Sequence, residues 1–191
     1  MDNNSETSAQ NSIFLQALST TMLLSSLDAK NFLKSDYFQE IELPVLFKDV
    51  LVQSGLGNPA TLQIFLYTLL VMPKEMMSNI DKQIEGTWKT KMDSFISTIP
   101  SISVSSNYKG ENSANLSTIA FYRHIRNAIS HSKCCYTKKD ESYYVTFSDE
   151  DKNRSFRCSI KMSTMDAGKI MEKLQELIID YLKTNQIKLA H

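Results

Sequence analysis

The chain has 191 residues, with 21 Lys+Arg against 21 Asp+Glu, so it carries no formal net charge. The length suits one domain with a substantial core, and the charge balance excludes both a globally basic nucleic-acid binder and an acidic disordered chain. Gly and Pro number five and four, about 5% together against a usual ~12%, and turn-rich sandwiches and barrels are excluded with them.

In chain order, residues 1–12 are polar and aperiodic and read as a disordered tail. Residues 13–34 place Ile13, Phe14, Ala17, Leu18, Leu24 and Leu27 at mixed spacings of three and four, the period of a helix. A second apolar-periodic segment, 36–54, is interrupted by Pro44. Asn58-Pro59 is a helix start, an N-cap residue followed by Pro in the first turn. The helix it opens runs to about Pro73 and is apolar nearly all round, which predicts full burial. A further helix is expected over 78–99, with Gly86 as a weak point, then a Ser- and Asn-rich loop over 100–115. A helix over 116–134 follows. Alternating segments at 142–148 and 155–161, joined by a charged turn, predict a β-hairpin. Ser163 and Asp166 form a capping signal for a last amphipathic helix over 164–184, with Ile170, Met171, Leu174, Leu177, Ile178, Tyr181 and Leu182 on its apolar stripe. The expected organisation is mainly α: a single helical-bundle domain over 13–185, a short hairpin before the last helix, and a tail over 186–191.

No nucleotide-binding glycine loop occurs, since Gly55 and Gly57 are the only close pair. Cys134, Cys135 and Cys158 lack paired-ligand spacing, so the expectation is reduced thiols, no metal centre and no cofactor. The opening residues lack a basic signal-peptide region. The longest apolar run, about 64–72, is far short of the ~20 residues of a membrane span. A cytoplasmic protein without a membrane partner is expected.

One segment carries chemistry. Of four Arg and three His in the chain, Arg123, His124, Arg126 and His131 fall within residues 123–131. No acid occurs over 112–139, while Lys133, Lys138 and Lys139 do. This is a local cationic patch in a neutral chain, suited to a phosphate backbone. On an ideal helix Phe121, Ile125, Ala128 and Ile129 form an apolar face, and His124, Asn127 and His131 a ridge at its edge. His124, beside the apolar face, reads as structural. Arg126 lies roughly 140° from His131, so one straight helix does not present both groups to one atom.

The segment Arg126-Asn127-Ala128-Ile129-Ser130-His131 resembles the Arg-x4–6-His signature of the HEPN superfamily. Its position before a hairpin and a last amphipathic helix is similar to that in plasmid-borne and defence-associated bacterial HEPN nucleases. The resemblance implies a HEPN-like bundle that pairs as a homodimer, with two signatures facing each other as one metal-independent endoribonuclease site. It implies Arg126 and His131 as catalytic residues with Asn127 in support. Arg123, Lys133, Lys138 and Lys139 would contact RNA, and a cognate antitoxin is a possible partner in toxin or phage-defence biology. The alternative is a non-catalytic HEPN-like dimer that binds RNA or a protein. Family toxins silenced by nucleotide transfer carry a tyrosine two places after the histidine. Here Ser132 and Lys133 follow His131 and the first tyrosine is Tyr136, so the resemblance does not extend to that regulation.

Overall fold

The computed structural model describes residues 3–76 and 80–184. The fold is mainly α with one small antiparallel sheet. Helix α1 (Asn3–Ala29) begins inside the segment read from composition as a tail. It is followed by a 3₁₀ turn (Phe32–Lys34), α2 (Asp36–Glu40), α3 (Val45–Ser54), α4 (Pro59–Leu70) and α5 (Met72–Met76). The Asn58 side chain accepts from the amides of Ala60 and Thr61 at 3.0 and 3.1 Å, with Pro59 in the first turn, the cap expected from Asn-Pro.

Helix α4 is not buried all round. Leu62, Phe65, Leu66, Leu69 and Leu70 enter the core, but Ile64 and Tyr67 face solvent. The α3 helix contributes no buried residue, and Val45, Leu46, Phe47, Val50 and Val52 are all exposed. An apolar composition at these positions thus marks surface as well as core.

Next come α6 (Ile80–Gln83), a π-turn (Ile84–Trp88) and α7 (Lys89–Ser97). They occupy the helix expected over 78–99, of which 78 and 79 lie outside the described residues. The π-turn contains Gly86, the poor helix former. The chain's single Trp, Trp88, is buried there, edge-on to Tyr181 at 6.1 Å between ring centroids.

The region read as a loop over 100–115 contains strand β1 (Ser103–Ser106). A 3₁₀ turn (Leu116–Thr118) precedes α8 (Phe121–Ser130). The helix expected over 116–134 is therefore shorter at both ends. Strands β2 (Cys134–Lys139), β3 (Ser142–Glu150) and β4 (Arg157–Ser163) follow, then α9 (Thr164–Thr184). The expected segments at 142–148 and 155–161 are the central pair of a four-stranded sheet in the order β1-β4-β3-β2, not an isolated hairpin. The tail expected over 186–191 lies outside the described residues.

Strand alternation builds a two-faced sheet. Val145, Phe147 and Asp149 of β3, and Cys158, Ile160 and Met162 of β4, point into the core. The pairs Phe147–Ile160 and Asp149–Cys158 are in register, and Ser106 pairs with Cys158. Ser106, Cys158 and Asp149 thus form one row across three strands. Helix α9 closes the core with Ile170, Leu174, Leu177 and Ile178. Its cap extends the expected pair: the Asp166 amide donates to Ser163 Oγ at 3.1 Å, and the Ser163 amide donates to Ser101 Oγ at 3.1 Å. Both hydroxyls donate in turn to the Asp166 carboxylate, which they and Lys169 hold below the usual carboxylate range, Lys169 most strongly. Among the described residues no single helix is long and apolar enough to cross a membrane.

Candidate functional site

Helix α8 carries the cationic segment, and its N-terminal end is set by residues from other elements. Ala120 has no side chain to cap it. Instead, the Tyr122 amide donates to Asp93 Oδ1 of α7 at 2.7 Å, and the Ala120 amide to Glu111 Oε1 at 3.4 Å. Burial pushes the Asp93 carboxyl above its ordinary range, against the hydrogen bond from the Tyr122 amide.

The C-terminus is a Schellman turn. Lys133 N–H donates to Ala128 O at 2.7 Å and Ser132 N–H to Ile129 O at 3.1 Å, with Ser132 left-handed at φ 54°. This turn ends the helix before the cysteines and sends the chain into β2. Cys134 and Cys135 are therefore strand residues. All three cysteines are free thiols; Cys135 is exposed, and burial pushes Cys134 up to about 11.

Between the ends, the expected apolar face is buried: Phe121, Ile125, Ala128 and Ile129, together with Tyr122 and His124. His131 is the C-cap residue and is exposed. Its side chain makes no hydrogen bond among the described residues, so it does not cap the helix carbonyls. Arg126 is half-buried and points elsewhere. Its Nη2 donates to Asn127 Oδ1 at 2.9 Å, while its buried Nε has no partner among the described residues. Arg126 and Asn127 line a cavity of about 180 Å³ together with Lys74, Lys89, Arg123, Tyr122 and one acid, Glu85. His131 does not line it, in keeping with the angular separation expected from the sequence.

The cationic patch is partly neutralised by acids remote in sequence. Arg123 Nη2 lies 3.1 Å from Glu111 Oε1, and Lys133 Nζ lies 2.7 Å from Glu150 Oε1. Lys138 sits over the Tyr143 ring at 5.7 Å, and Lys139 is exposed on β2. Lys133, Glu150 and Arg157 border a second, larger cleft of about 540 Å³, floored by Ser105, Ser148 and Ser159.

His124 is the centre of the densest polar cluster. The ring is 1% exposed. Its Nδ1 lies 2.6 Å from Asp149 Oδ2 and its Nε2 lies 2.8 Å from Glu111 Oε1. Both nitrogens face carboxylates, and Nε2 also lies 3.2 Å from Arg123 Nη2. Asp149 Oδ2 also accepts from Asn127 Nδ2 at 3.3 Å and from the Tyr108 hydroxyl at 3.4 Å. Burial, and then the Asp149 charge, push the Tyr108 hydroxyl up to about 12. Burial acts to raise the Glu111 carboxyl, but hydrogen bonds from Ser106 and His124 outweigh it and leave it below its ordinary value. A continuous chain, Arg126–Asn127–Asp149–His124–Glu111, thus links the cavity to the buried cluster. Glu111 and Asp149 escape sequence reading because neither neighbours α8 in the chain. The only local hint is His124 itself, a polar residue next to an apolar face.

A sequence model of the HEPN pEK499 p136 family matches residues 1–185, and the chain belongs to this HEPN family. No curated protein sequence and no solved structure matches it.

Proposed function

We propose that the chain is an endoribonuclease of the HEPN type, acting as a homodimer in which two copies of α8 supply one site. The observation that carries this reading is the arrangement of Arg126, Asn127 and His131. Arg126 lines a cationic cavity with its amide partner Asn127 fixed by Asp149, while His131 stands exposed at the helix end. A second copy is the simplest way to bring a His131 to an Arg126 that faces another direction. The surface beside α8 suits such pairing: α4 packs against α8 and presents Ile64 and Tyr67 to solvent.

Cleavage without a metal needs a base for the 2′-hydroxyl proton, an acid for the leaving 5′-oxygen and fixed positive charge at the phosphorane oxygens. Imidazole changes charge near neutral pH and suits both proton transfers. In a dimer, one His131 takes the proton and the other returns one. Arg126 holds the phosphorane oxygens through its planar guanidinium fork. Asn127 keeps the guanidinium oriented, and Arg123, Lys133, Lys138 and Lys139 lie along the course of the RNA backbone. Glu111 and Asp149 are already occupied by His124 and Arg123, which leaves them poorly placed to hold Mg²⁺ at His131.

The test is single-turnover cleavage of end-labelled RNA in EDTA. Cleavage that leaves a 2′,3′-cyclic phosphate and is lost in Arg126→Ala and His131→Ala supports the reading. Cleavage that requires Mg²⁺ overturns it. RNA binding without cleavage selects the non-catalytic dimer instead.

A further inference from the structure

We propose that Glu111, His124 and Cys158 form a binding site for one divalent transition-metal ion of the zinc class, guarded on its outer side by Arg123. The proposal is independent of the ribonuclease reading. A carboxylate oxygen, an imidazole nitrogen and a thiol sulfur from these three residues lie within 4.8 Å of one another. They come from three separate elements: the loop after β1, the first turn of α8, and β4.

Several features besides proximity fit a metal. Asp149 Oδ2 takes the Nδ1 hydrogen of His124 at 2.6 Å, which turns Nε2 toward Glu111 Oε1 and Cys158. A carboxylate on the far nitrogen is the usual support of a metal-ligating histidine. Glu111 is supported in turn, since its Oε2 accepts from Ser106 Oγ at 2.6 Å. Mixed nitrogen, oxygen and sulfur donors favour zinc over magnesium or calcium. Bonds of about 2.0–2.3 Å at tetrahedral angles put donors roughly 3.3–3.8 Å apart. The Nε2–Oε1 pair, now 2.8 Å apart, must open by less than about 1 Å, and Glu111 sits on a loop. Three protein donors leave a fourth position for water.

The ion takes a lone pair of His124 Nε2 and displaces the Cys158 thiol hydrogen to solvent. Arg123 Nη2 lies 3.1 Å from Glu111 Oε1 and 3.2 Å from His124 Nε2, over the same donor pair. Its side chain is 44% exposed and its guanidinium lies 5.0 Å from the Tyr108 ring centroid. It can leave the donors and keep the aromatic contact. Arg123 is therefore a competitor of the ion, not a ligand.

The experiment uses the full chain, stripped with chelator and dialysed, titrated with ZnCl₂ by calorimetry and with CoCl₂ by absorption spectroscopy. The expected result is one ion per chain, a higher Tm with zinc and a near-ultraviolet thiolate-to-cobalt band. Cys158→Ser should abolish the band, while Cys135→Ser, at an exposed thiol, should leave it intact. Asp149→Asn should weaken zinc binding by roughly 10–100-fold, and Arg123→Gln, at a surface position that leaves the fold intact, should strengthen it. Absence of stoichiometric zinc binding at tens of micromolar overturns the proposal. So does a band that survives Cys158→Ser, or an Arg123→Gln affinity no tighter than wild type.

Discussion

Replacing His124 by alanine tests the buried cluster most directly. The ring is 1% exposed and lies between two carboxylates whose side chains are only 6% and 7% exposed. Removing it leaves Glu111 and Asp149 facing each other without their shared partner. Loss of one member of a buried ion pair costs about 3–5 kcal/mol. Arg123 offsets part of this at Glu111 but reaches no oxygen of Asp149 among the described hydrogen bonds. The vacated ring also removes the tilted contact with Tyr108, whose centroid is 4.7 Å away, although Tyr108 keeps Phe156 stacked at 5.7 Å. In a chain of this size 1 kcal/mol moves Tm by about 2–4 °C, so His124→Ala should lower Tm by roughly 6–20 °C in metal-free buffer at pH 7. Urea denaturation should give the same ranking from the midpoint at unchanged m-value. Adding Glu111→Gln to His124→Ala should recover part of the loss, since one of the stranded charges is gone. A His124→Ala protein that melts within about 2 °C of wild type would refute the ion-paired cluster.

Four further outcomes follow from the same geometry. Glu111 has a folded-state carboxyl below its ordinary value of 4.5; its contribution to stability is present above that pH and is lost as pH falls through the folded value. Glu111→Gln should therefore flatten the acid limb of a Tm-against-pH curve below about 4.5, and an unchanged limb would reject the linkage. Arg126→Ala and His131→Ala should each slow single-turnover cleavage by roughly 10²-fold or more while Tm shifts by no more than a few degrees; a His131→Ala protein that melts early yet cleaves at the wild-type rate assigns His131 a structural role. Light scattering at tens of micromolar should give a dimer, and Ile64→Asp with Tyr67→Asp should give a folded monomer without cleavage; a wild-type monomer removes the composite site. Ser132→Gly relieves a left-handed residue and should raise stability by up to about 1 kcal/mol, read as a higher Tm, whereas a fall would show that the Ser132 side chain matters more than its φ.

What could be read in advance follows the range of the interactions. The Asn58-Pro59 cap, the Ser163–Asp166 cap, the stripe of α9 and the apolar face of α8 are written in residues three or four apart, and these were legible. Strand β1 was not, because Ser103–Ser106 lacks apolar alternation and pairs with β4 across more than fifty residues. The end of α8 was misplaced because Ser132 adopts the left-handed turn without glycine to announce it. Helix α3 was legible as a helix, but its exposed face was not, since hydrophobicity alone does not distinguish a core from an unpartnered surface. In the site, Arg126, Asn127 and His131 stood out by spacing. Glu111, Asp149 and Asp93 did not: each reaches α8 from another element, and a segment free of acids in sequence is surrounded by them in space.

That last difference changes how the cationic segment works. Arg123, His124 and Lys133 each face a carboxylate, so three of the groups that made the segment look like a nucleic-acid patch are partly neutralised. Arg126 is different. Its nearest partner is a neutral amide, and its Nε is buried with no acceptor among the described residues. An unsatisfied buried donor costs about 1–3 kcal/mol, and under the proposed function an anionic oxygen entering the cavity would return that cost. Asp149 makes this possible at one remove: by taking the Asn127 amide hydrogen it turns the Asn127 oxygen toward Arg126, so the guanidinium is oriented without being neutralised. Glu111 and Glu150 thus pair with Arg123 and Lys133, while Arg126 keeps a neutral amide as its hydrogen-bond partner.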